Sequence, residues 1–319
     1  MDSSSQIPQN DISTEESIAE ILDAGYQNLL FGDAKTATDK IAISLRSLVN
    51  TLPEERWRSE ICPTCAAHPV MDLLMEDPYT RRARQKPRGY AGDAVMMDYL
   101  YFQSPPVDTT PLGRTIFSVT TGTQNGRSVR ERMKLLASCI DETANRVVQP
   151  SILSVACGHL REAELCTALS EGRLSKIIAM DQDPMSLDVV KSTYHAAPVE
   201  CVSGSVKSII DGRLSFSEID FCYSAGLYDY LPELPAQTLT TRLFTMLQQG
   251  GELLIGNFLP DTHGRAYMEA FMDWHLVVRS PREIQNLAKL IPAAEISSTS
   301  YFEDANHTIG YLKLTKAHG

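Results

Sequence analysis

The sequence predicts an α/β fold: a Rossmann-like, mostly parallel sheet flanked by helices and preceded by an N-terminal helical segment. Three observations carry this. After residue 151, apolar runs of strand length and helical patterns alternate strictly. Within them, Ile152 to Asp183 reads as strand, tight turn, helix and strand, which is half of a nucleotide-binding sheet. Before residue 151, apolar residues recur mostly at helical spacing.

The half-unit is the most informative stretch. Ile152 to Ala156 reads as a buried strand, Cys157-Gly158 as the turn, about Leu160 to Leu169 as a helix, and the second strand ends at Asp181. Gly158 lets the backbone approach a ligand closely, and a helix start offers unpaired N–H groups to an anionic group. Asp181 is placed to accept both hydroxyls of a ribose. These residues suit an adenosine cofactor. The dinucleotide fingerprint needs three glycines, and only Gly158 is present, with Ala156 and Arg161 in two of the glycine places. S-adenosylmethionine carries no pyrophosphate, so one close approach beside its methionine part suffices. The acidic residue and alternating glycines common in methyltransferases are also poorly kept, Ser154, Ala156 and Leu160 standing in their places. The turn favours S-adenosylmethionine over a nicotinamide cofactor and leaves a dehydrogenase as the alternative.

Length and composition set the frame. A chain of 319 residues allows about two domains and a large core. A net charge of -11 and a pI near 5.1 argue against general nucleic-acid or anionic-membrane binding. Seven cysteines, an odd number scattered through apolar segments, suit reduced thiols in a cytoplasm. The first ten residues have neither a basic nor an apolar leader pattern, and no apolar run spans a membrane, so a cytoplasmic protein without a signal peptide is expected.

In chain order, residues 1–15 are polar and read as disordered. Glu16 to Leu52 reads as two amphipathic helices broken at Gly32-Asp33. Trp57 to Glu76 reads as helix interrupted by Pro63 and Pro69. It contains C-P-T-C-A-A-H at residues 62–68, three metal-ligand types without a second cysteine pair to close a site, so packed helix residues are expected and no metal. Five cations stand in the eight residues from Arg81 to Arg88, either a patch for an anionic substrate or a solvated face. In Arg88-Gly89-Tyr90-Ala91-Gly92-Asp93 two glycines flank an aromatic residue ahead of an amphipathic helix. Asp93 is a natural N-cap there, and the functional reading is a lid laying Arg88, Tyr90 and Asp93 over a cofactor cleft. Pro105 to Pro111 is a link, and Ser128 is expected to open a helix to about Val148. Beyond Asp183 come helices at Met185–Tyr194, Val206–Ile210, Thr238–Leu247, Ala266–Leu276 and Pro281–Leu290. Strands are expected at Val199–Val202, Ile219–Tyr223 and Glu252–Phe258, the last after a Gly250-Gly251 turn, with a closing hairpin at Ile296–Phe302 and Thr308–Leu314. The domains expected are a helical cap over residues 16–150 and a cofactor-binding domain over residues 151–319, with the N-terminal helices a candidate surface for a homodimer.

Four segments, A-C-G at 156–158, M-D-Q-D-P at 180–184, Y-S-A-G-L-Y-D-Y-L at 223–231 and G-G-E-L-L-I-G-N-F at 250–258, resemble class I S-adenosylmethionine-dependent methyltransferases. With R-G-Y-A-G-D at 88–93 the chain resembles, more narrowly, the bacterial extracellular-factor (3-hydroxypalmitic acid methyl ester) biosynthesis protein family. The resemblance covers most of the chain from about residue 80. It implies a seven-stranded sheet with its last strand antiparallel and a helical N-terminal cap. It also implies that Ala156 and Gly158 meet the methionine end of the cofactor, Asp181 the ribose and Gln182 the adenine side. Ser205 and Val206 would flank the adenine, and Ser224, Ala225 and Gly226 would floor the site near the sulfonium. The activity implied is methyl transfer to a small-molecule or acyl acceptor, with a carboxylate oxygen the first choice. The alternatives are C- or N-methylation of a small metabolite, or a non-catalytic cofactor-binding regulator.

Methyl transfer is an in-line displacement in which the protein contributes mainly proximity and orientation. An ionised carboxylate acceptor needs no general base, whereas an amine or carbon acid does. Tyr90, Tyr228 and Asp229 are the catalytic candidates, and Tyr230, Asn257 and His263 the substrate contacts. Each has a plainer reading: tyrosines in the core with a bonded hydroxyl, Asn257 ending a strand, His263 starting a helix. Asp273, Trp274 and Arg279 are expected mainly to brace a helix.

Overall fold

The computed structural model describes residues 12–318. The polar tail expected to be disordered lies outside the described residues as far as residue 11, and the chain is helical from Ile12. The protein divides into two compact units, one made of Met1–Gly92, Phe102–Thr123 and His263–His275, the other of Asp93–Tyr101, Gln124–Thr262 and Leu276–Gly319. Among the described residues no helix is long and apolar enough to cross a membrane.

The first unit is helical. Helices α1 (Ile12–Leu30) and α2 (Ala34–Thr51) meet the expectation of two helices broken at Gly32-Asp33. Gly32 takes φ +82, which an L side chain disfavours, and Asp33 caps α2 by accepting from Thr36 N. Ile18, Leu22 and Leu29 on α1 and Ile41, Leu45 and Val49 on α2 are buried. A Cβ at Gly25 would stand 2.5 Å from Ile41 Cδ1, so that glycine sets how closely the pair packs. A helical run follows: α3 (Glu54–Arg56), a π turn (Trp57–Ile61) and α4 (Cys62–Ala67). Pro63 was expected to interrupt it but sits in the first turn of α4, where a missing N–H is tolerated. The break comes at His68, extended at ψ 142 ahead of Pro69, after which α5 (Val70–Leu74) begins.

Next, α6 (Pro78–Gln85) starts at a wholly buried cap, Asp77, which accepts from Tyr79 N, Thr80 N, Thr80 Oγ1 and Thr120 Oγ1. Burial pushes its carboxyl up to about 6 even with those four donors. Helices α8 (Pro111–Thr121) and α14 (Arg265–Met272) complete the unit. The expected helix to Leu276 ends earlier, because Asp273 turns left-handed at φ 49. Trp57 Nε1 donates to Glu269 Oε2 at 2.6 Å, and Arg265 Nε donates to the other carboxylate oxygen at 2.7 Å.

The second unit is a seven-stranded sheet of order β3-β2-β1-β4-β5-β7-β6. Strands β1 (Ser151–Val155), β2 (Lys176–Asp181), β3 (Val199–Ser203), β4 (Ile219–Ser224) and β5 (Leu247–Phe258) run parallel. The hairpin of β6 (Ile296–Glu303) and β7 (Ile309–Lys316) closes the edge, with β7 antiparallel to both neighbours. Among the helices of this unit are α7 (Ala94–Phe102, its last residue in the other unit), α9 (Gln124–Arg146), α11 (Pro184–Thr193), α12 (Val206–Ile210) and α13 (Glu233–Met246). A core including Leu153, Val155, Ile178, Cys222, Leu239, Leu253 and Leu312 packs against the sheet.

Three boundaries differ from expectation for visible reasons. α9 starts at Gln124, so Ser128 lies inside it, buried, its hydroxyl donating to Asp304 Oδ2 at 2.5 Å. Gly250 and Gly251 belong to β5 instead of forming a turn before it. Its pairing with β4 shifts register between Ile219 and Phe221, and a Cβ at Gly251 would sit 2.8 Å from the Ile219 carbonyl. The last predicted helix is only α15 (Pro281–Gln285) followed by a 3₁₀ turn at Asn286–Ala288.

Candidate functional site

In the order β3-β2-β1-β4-β5 successive strands are added to one side of β1 and then to the other, and ligands of open parallel sheets bind outside the carboxyl ends of strands at such a switch point. There the chain takes an unusual course. Ala156, Gly158 and Leu160 adopt φ +57, +55 and +53, alternating left-handed residues in one short turn. A non-glycine residue held there costs about 1–2 kcal/mol, and such strain collects at functional sites. The turn keeps the backbone that alternating glycines would allow, although two of the three residues carry side chains. Ala156 is exposed, whereas Leu160 is buried.

Asp181, at the end of β2, fixes this turn. Its Oδ2 accepts from Gly158 N at 2.8 Å and its Oδ1 from Asp183 N at 2.9 Å. The carboxyl is buried, which raises its pKa against those two backbone bonds, and each oxygen keeps a lone pair for a further donor. Gln182 is exposed beside it. At the end of β3, Ser205 caps α12 by accepting from Ser208 N, and Val206 is the first helical residue.

The helix expected from Leu160 to Leu169 is not formed as such. A 3₁₀ turn (Arg161–Leu165) and a one-turn helix, α10 (Thr167–Ser170), replace it. Left-handed Leu160 and extended Cys166, at ψ 111, break the run. The Gly158 N–H is engaged by Asp181 and is therefore not open to an anion.

At the ends of β4 and β5, Ser224 Oγ donates to the Val155 carbonyl at 3.0 Å, tying β4 to β1. The Ala225 carbonyl accepts from Arg132 Nη1 at 2.6 Å, and Gly226 is exposed. Arg132, on α9, is only 5 % exposed. Burial opposes its charge, but Tyr101, Tyr311 and Asp229 favour it and prevail. Tyr311, opposite Gly256 in the β5–β7 ladder, is 1 % exposed and its hydroxyl has no hydrogen-bond partner among the described residues. The point a Cβ at Gly256 would occupy lies 3.2 Å from the Tyr311 ring and 3.3 Å from the Ala225 carbonyl, to which Arg132 donates.

The Tyr228-Asp229-Tyr230 segment is a 3₁₀ turn. Tyr228 is wholly buried, its hydroxyl 3.0 Å from Thr240 Oγ1, and burial pushes the phenol up. Asp229 Oδ1 accepts from Phe258 N at 2.7 Å, and burial pushes this carboxyl up to about 6 against the pull of Arg132 and Arg279. Asn257, also buried, donates to the Phe258 and Val277 carbonyls. Arg279 closes the bracket by donating to Asn257 Oδ1 and to the Tyr228 and Leu231 carbonyls. Its bracing therefore acts on the β4 and β5 loops. Tyr230 is 38 % exposed.

Sequence reasoning missed a second polar group in the same unit. Asp98 on α7 accepts from Arg161 through both oxygens, at 2.9 Å each, and lies 2.8 Å from His159 Nδ1. The buried Glu162 accepts from the Tyr223 hydroxyl at 2.6 Å. His159 had a signal, its place directly after Gly158. Arg132 had none, lying among the apolar residues of an amphipathic helix where cations usually face water.

Asp93 is wholly buried and caps α7, its Oδ1 accepting from Met96 N at 3.0 Å. Arg88 and Tyr90, both half-buried, and His263 belong to the first unit. So do Asp273, which pairs with Lys86 at 2.5 Å, and Trp274, edge-on to Tyr79. Burial pushes the Cys62 and Cys65 thiols up to about 12, and His68 accepts from Val70 N and faces Asp23. All seven cysteines are free, and among the described residues no group of three metal-ligating side chains comes together.

No family model matches the chain, and no curated protein matches it. Solved structures do. A possible exported protein from Bordetella parapertussis aligns over 98 % of this chain and 100 % of its own, at 14 % identity and a TM-score of 0.58. The S-adenosylmethionine-dependent methyltransferase SibL, in its apo form, aligns over 96 % and 98 %, at 14 % identity and a TM-score of 0.49. The N-methyltransferase NodS from Bradyrhizobium japonicum WM9, in complex with S-adenosyl-L-homocysteine, aligns over 60 % and 88 %, at 15 % identity and a TM-score of 0.44. The chain thus shares its fold with the Bordetella protein along nearly the whole length of both.

Proposed function

We propose that the protein is an S-adenosylmethionine-dependent methyltransferase acting on a small-molecule or acyl acceptor, at a carboxylate oxygen. The observation that carries this reading is the left-handed turn Ala156-Gly158-Leu160 pinned to buried Asp181. The residues fit the cofactor: Asp181 has lone pairs left for two ribose hydroxyls, and Gln182, Ser205 and Val206 stand at the neighbouring strand ends for the adenine. One alternating turn leaves room for a nucleoside with an amino-acid arm and lacks the glycines that a pyrophosphate would need. Bound S-adenosylmethionine supplies an electrophilic methyl group on a sulfonium.

The chain's own part is to hold and orient. Ser224 and Arg132 fix the backbone of the Ala225-Gly226 floor, and the Asp229-Asn257-Arg279 bracket fixes the loops after β4 and β5. Arg132 supplies a buried positive charge behind Gly226, favourable to an acceptor carboxylate. Such an acceptor is ionised already, so no general base is required. A capping role for residues 16–150, with Arg88, Tyr90 and His263 contributing, belongs to the same reading, as do a homodimer through the N-terminal helices and a cytoplasmic location; these rest on the sequence. The narrower membership in the extracellular-factor family rests on the R-G-Y-A-G-D segment.

Extracts incubated with the protein and deuteromethyl-labelled cofactor, followed by mass spectrometry, test the acceptor. A labelled methyl ester is expected. A labelled N-methyl or C-methyl product without any ester would overturn the carboxylate choice.

A further inference from the structure

One buried polar atom in the turn after β1 has no hydrogen-bond partner among the described residues. His159 follows Gly158 directly, is 6 % exposed, and its Nε2 makes no hydrogen bond among the described residues. Its Nδ1 lies 2.8 Å from Asp98 Oδ2. Burial alone would raise the Asp98 carboxyl, but the bonds from Arg161 and His159 outweigh it and hold it below the usual carboxylate range. Asp98 is therefore an ionised acceptor, and Nδ1 must carry the proton toward it. Arg161 holds the same carboxylate through both oxygens and reaches Glu164 as well, which fixes Asp98 in place. A neutral ring with its proton on Nδ1 presents a lone pair at Nε2, fixed in direction by Asp98.

We propose that His159 Nε2 accepts a hydrogen bond from the α-ammonium of the bound cofactor, an inference that rests on the S-adenosylmethionine reading above. A lone pair repels a carboxylate and suits an N–H donor, and the ammonium has three. The position agrees. Gly158, one residue earlier, is tied by its N–H to Asp181, so His159 is the next residue along the chain from the point held at the proposed ribose site. In this turn two glycine places hold Ala156 and Leu160, and a side chain takes over recognition that backbone alone would otherwise supply. His159 is then a positioning residue, aligned by Asp98 and Arg161.

Calorimetry with two probes tests this: S-adenosylhomocysteine, and 5′-deoxy-5′-methylthioadenosine, which keeps the nucleoside and thioether but lacks the amino-acid arm. His159→Phe should weaken binding of the first at least tenfold and leave the second within about twofold. His159→Gln, whose amide oxygen restores an acceptor, should recover most of the loss. Equal weakening of both probes, or of neither, overturns the proposal. Should His159→Phe fail to fold, the wild-type protein decides: S-adenosylhomocysteine without its α-amino group should bind at least tenfold more weakly than the parent, and equal binding overturns the proposal. A wild-type protein that binds neither nucleoside would remove the cofactor reading and this inference with it.

Discussion

The backbone N–H of Gly158 donates to Asp181 Oδ2 at 2.8 Å, tying the turn after β1 to the end of β2. Asp181 Oδ1 holds the next turn in the same way, through Asp183 N at 2.9 Å. One carboxylate thus fixes the backbone on both sides of the place where a ribose would lie.

The strain in the turn is testable at Ala156, which is exposed and left-handed at φ +57. A glycine there relieves about 1 kcal/mol of backbone strain, which offsets the usual 0.5–1 kcal/mol entropy loss of a glycine substitution. Ala156→Gly should therefore leave unfolding free energy within about 0.5 kcal/mol of wild type in urea titrations. A loss above about 1 kcal/mol would show that the turn relaxes to ordinary geometry in solution.

Arg279 is 4 % exposed and donates to the Tyr228 carbonyl, the Leu231 carbonyl and Asn257 Oδ1. Arg279→Met removes all three donors and leaves buried acceptors unpaired, at about 1–3 kcal/mol for such a group. Stability should fall by about 2–4 kcal/mol, with non-additive overlap among the three. Differential scanning calorimetry checks this; an unchanged melting temperature contradicts the bracket.

Asp229 gives a pH signature. Its carboxyl is pushed up from 3.8 to about 6, chiefly by burial. A carboxyl with a folded pKa above its unfolded value binds its proton more tightly when folded. Its contribution to stability is then full below about pH 4 and declines as pH rises to about 6. Asp229→Asn removes this titration and keeps the acceptor for Phe258 N. Between pH 4 and 6.5 the wild type should lose about 1–3 kcal/mol relative to the variant. Parallel stability curves would rule out the shift.

In the first unit, Trp57 is buried and donates to Glu269, which is 3 % exposed. Trp57→Phe keeps most of the packing and removes the donor, so a loss of about 1–2 kcal/mol is expected, against Arg265 still pairing with the same carboxylate. Chemical denaturation followed by circular dichroism measures it, and an unchanged midpoint would contradict the role given to this bond.

What the sequence revealed follows from how local each cause is. Strand and helix periodicity placed β1 to β7 and the α1–α2 break within a few residues, because each depends on neighbouring side chains. Asp181 was legible because its place at a strand end defines its surroundings. The short 3₁₀ run after Leu160 was not, since residues 161–169 carry an ordinary helical pattern and the breaks come from left-handed Leu160 and extended Cys166. Tyr228 is a catalytic candidate and Asn257 a substrate contact in the sequence, each with a plainer core reading; the structure gives both buried hydrogen-bond partners, whose sequence distance, 12 residues to Thr240 and 22 to Arg279, hides them from local reading. Arg132 meets Ala225 across 93 residues, and no pattern on its own helix announces it.

The most direct measurement is isothermal titration calorimetry of the wild-type protein and Asp181→Ala with S-adenosylhomocysteine and with NAD. The wild type should bind S-adenosylhomocysteine and not NAD, and Asp181→Ala should lose at least tenfold in affinity, about 1.4 kcal/mol, through lost charge-assisted hydrogen bonds. Binding of NAD alone, or affinity for S-adenosylhomocysteine that ignores Asp181, would contradict the cofactor site at the ends of β1 and β2.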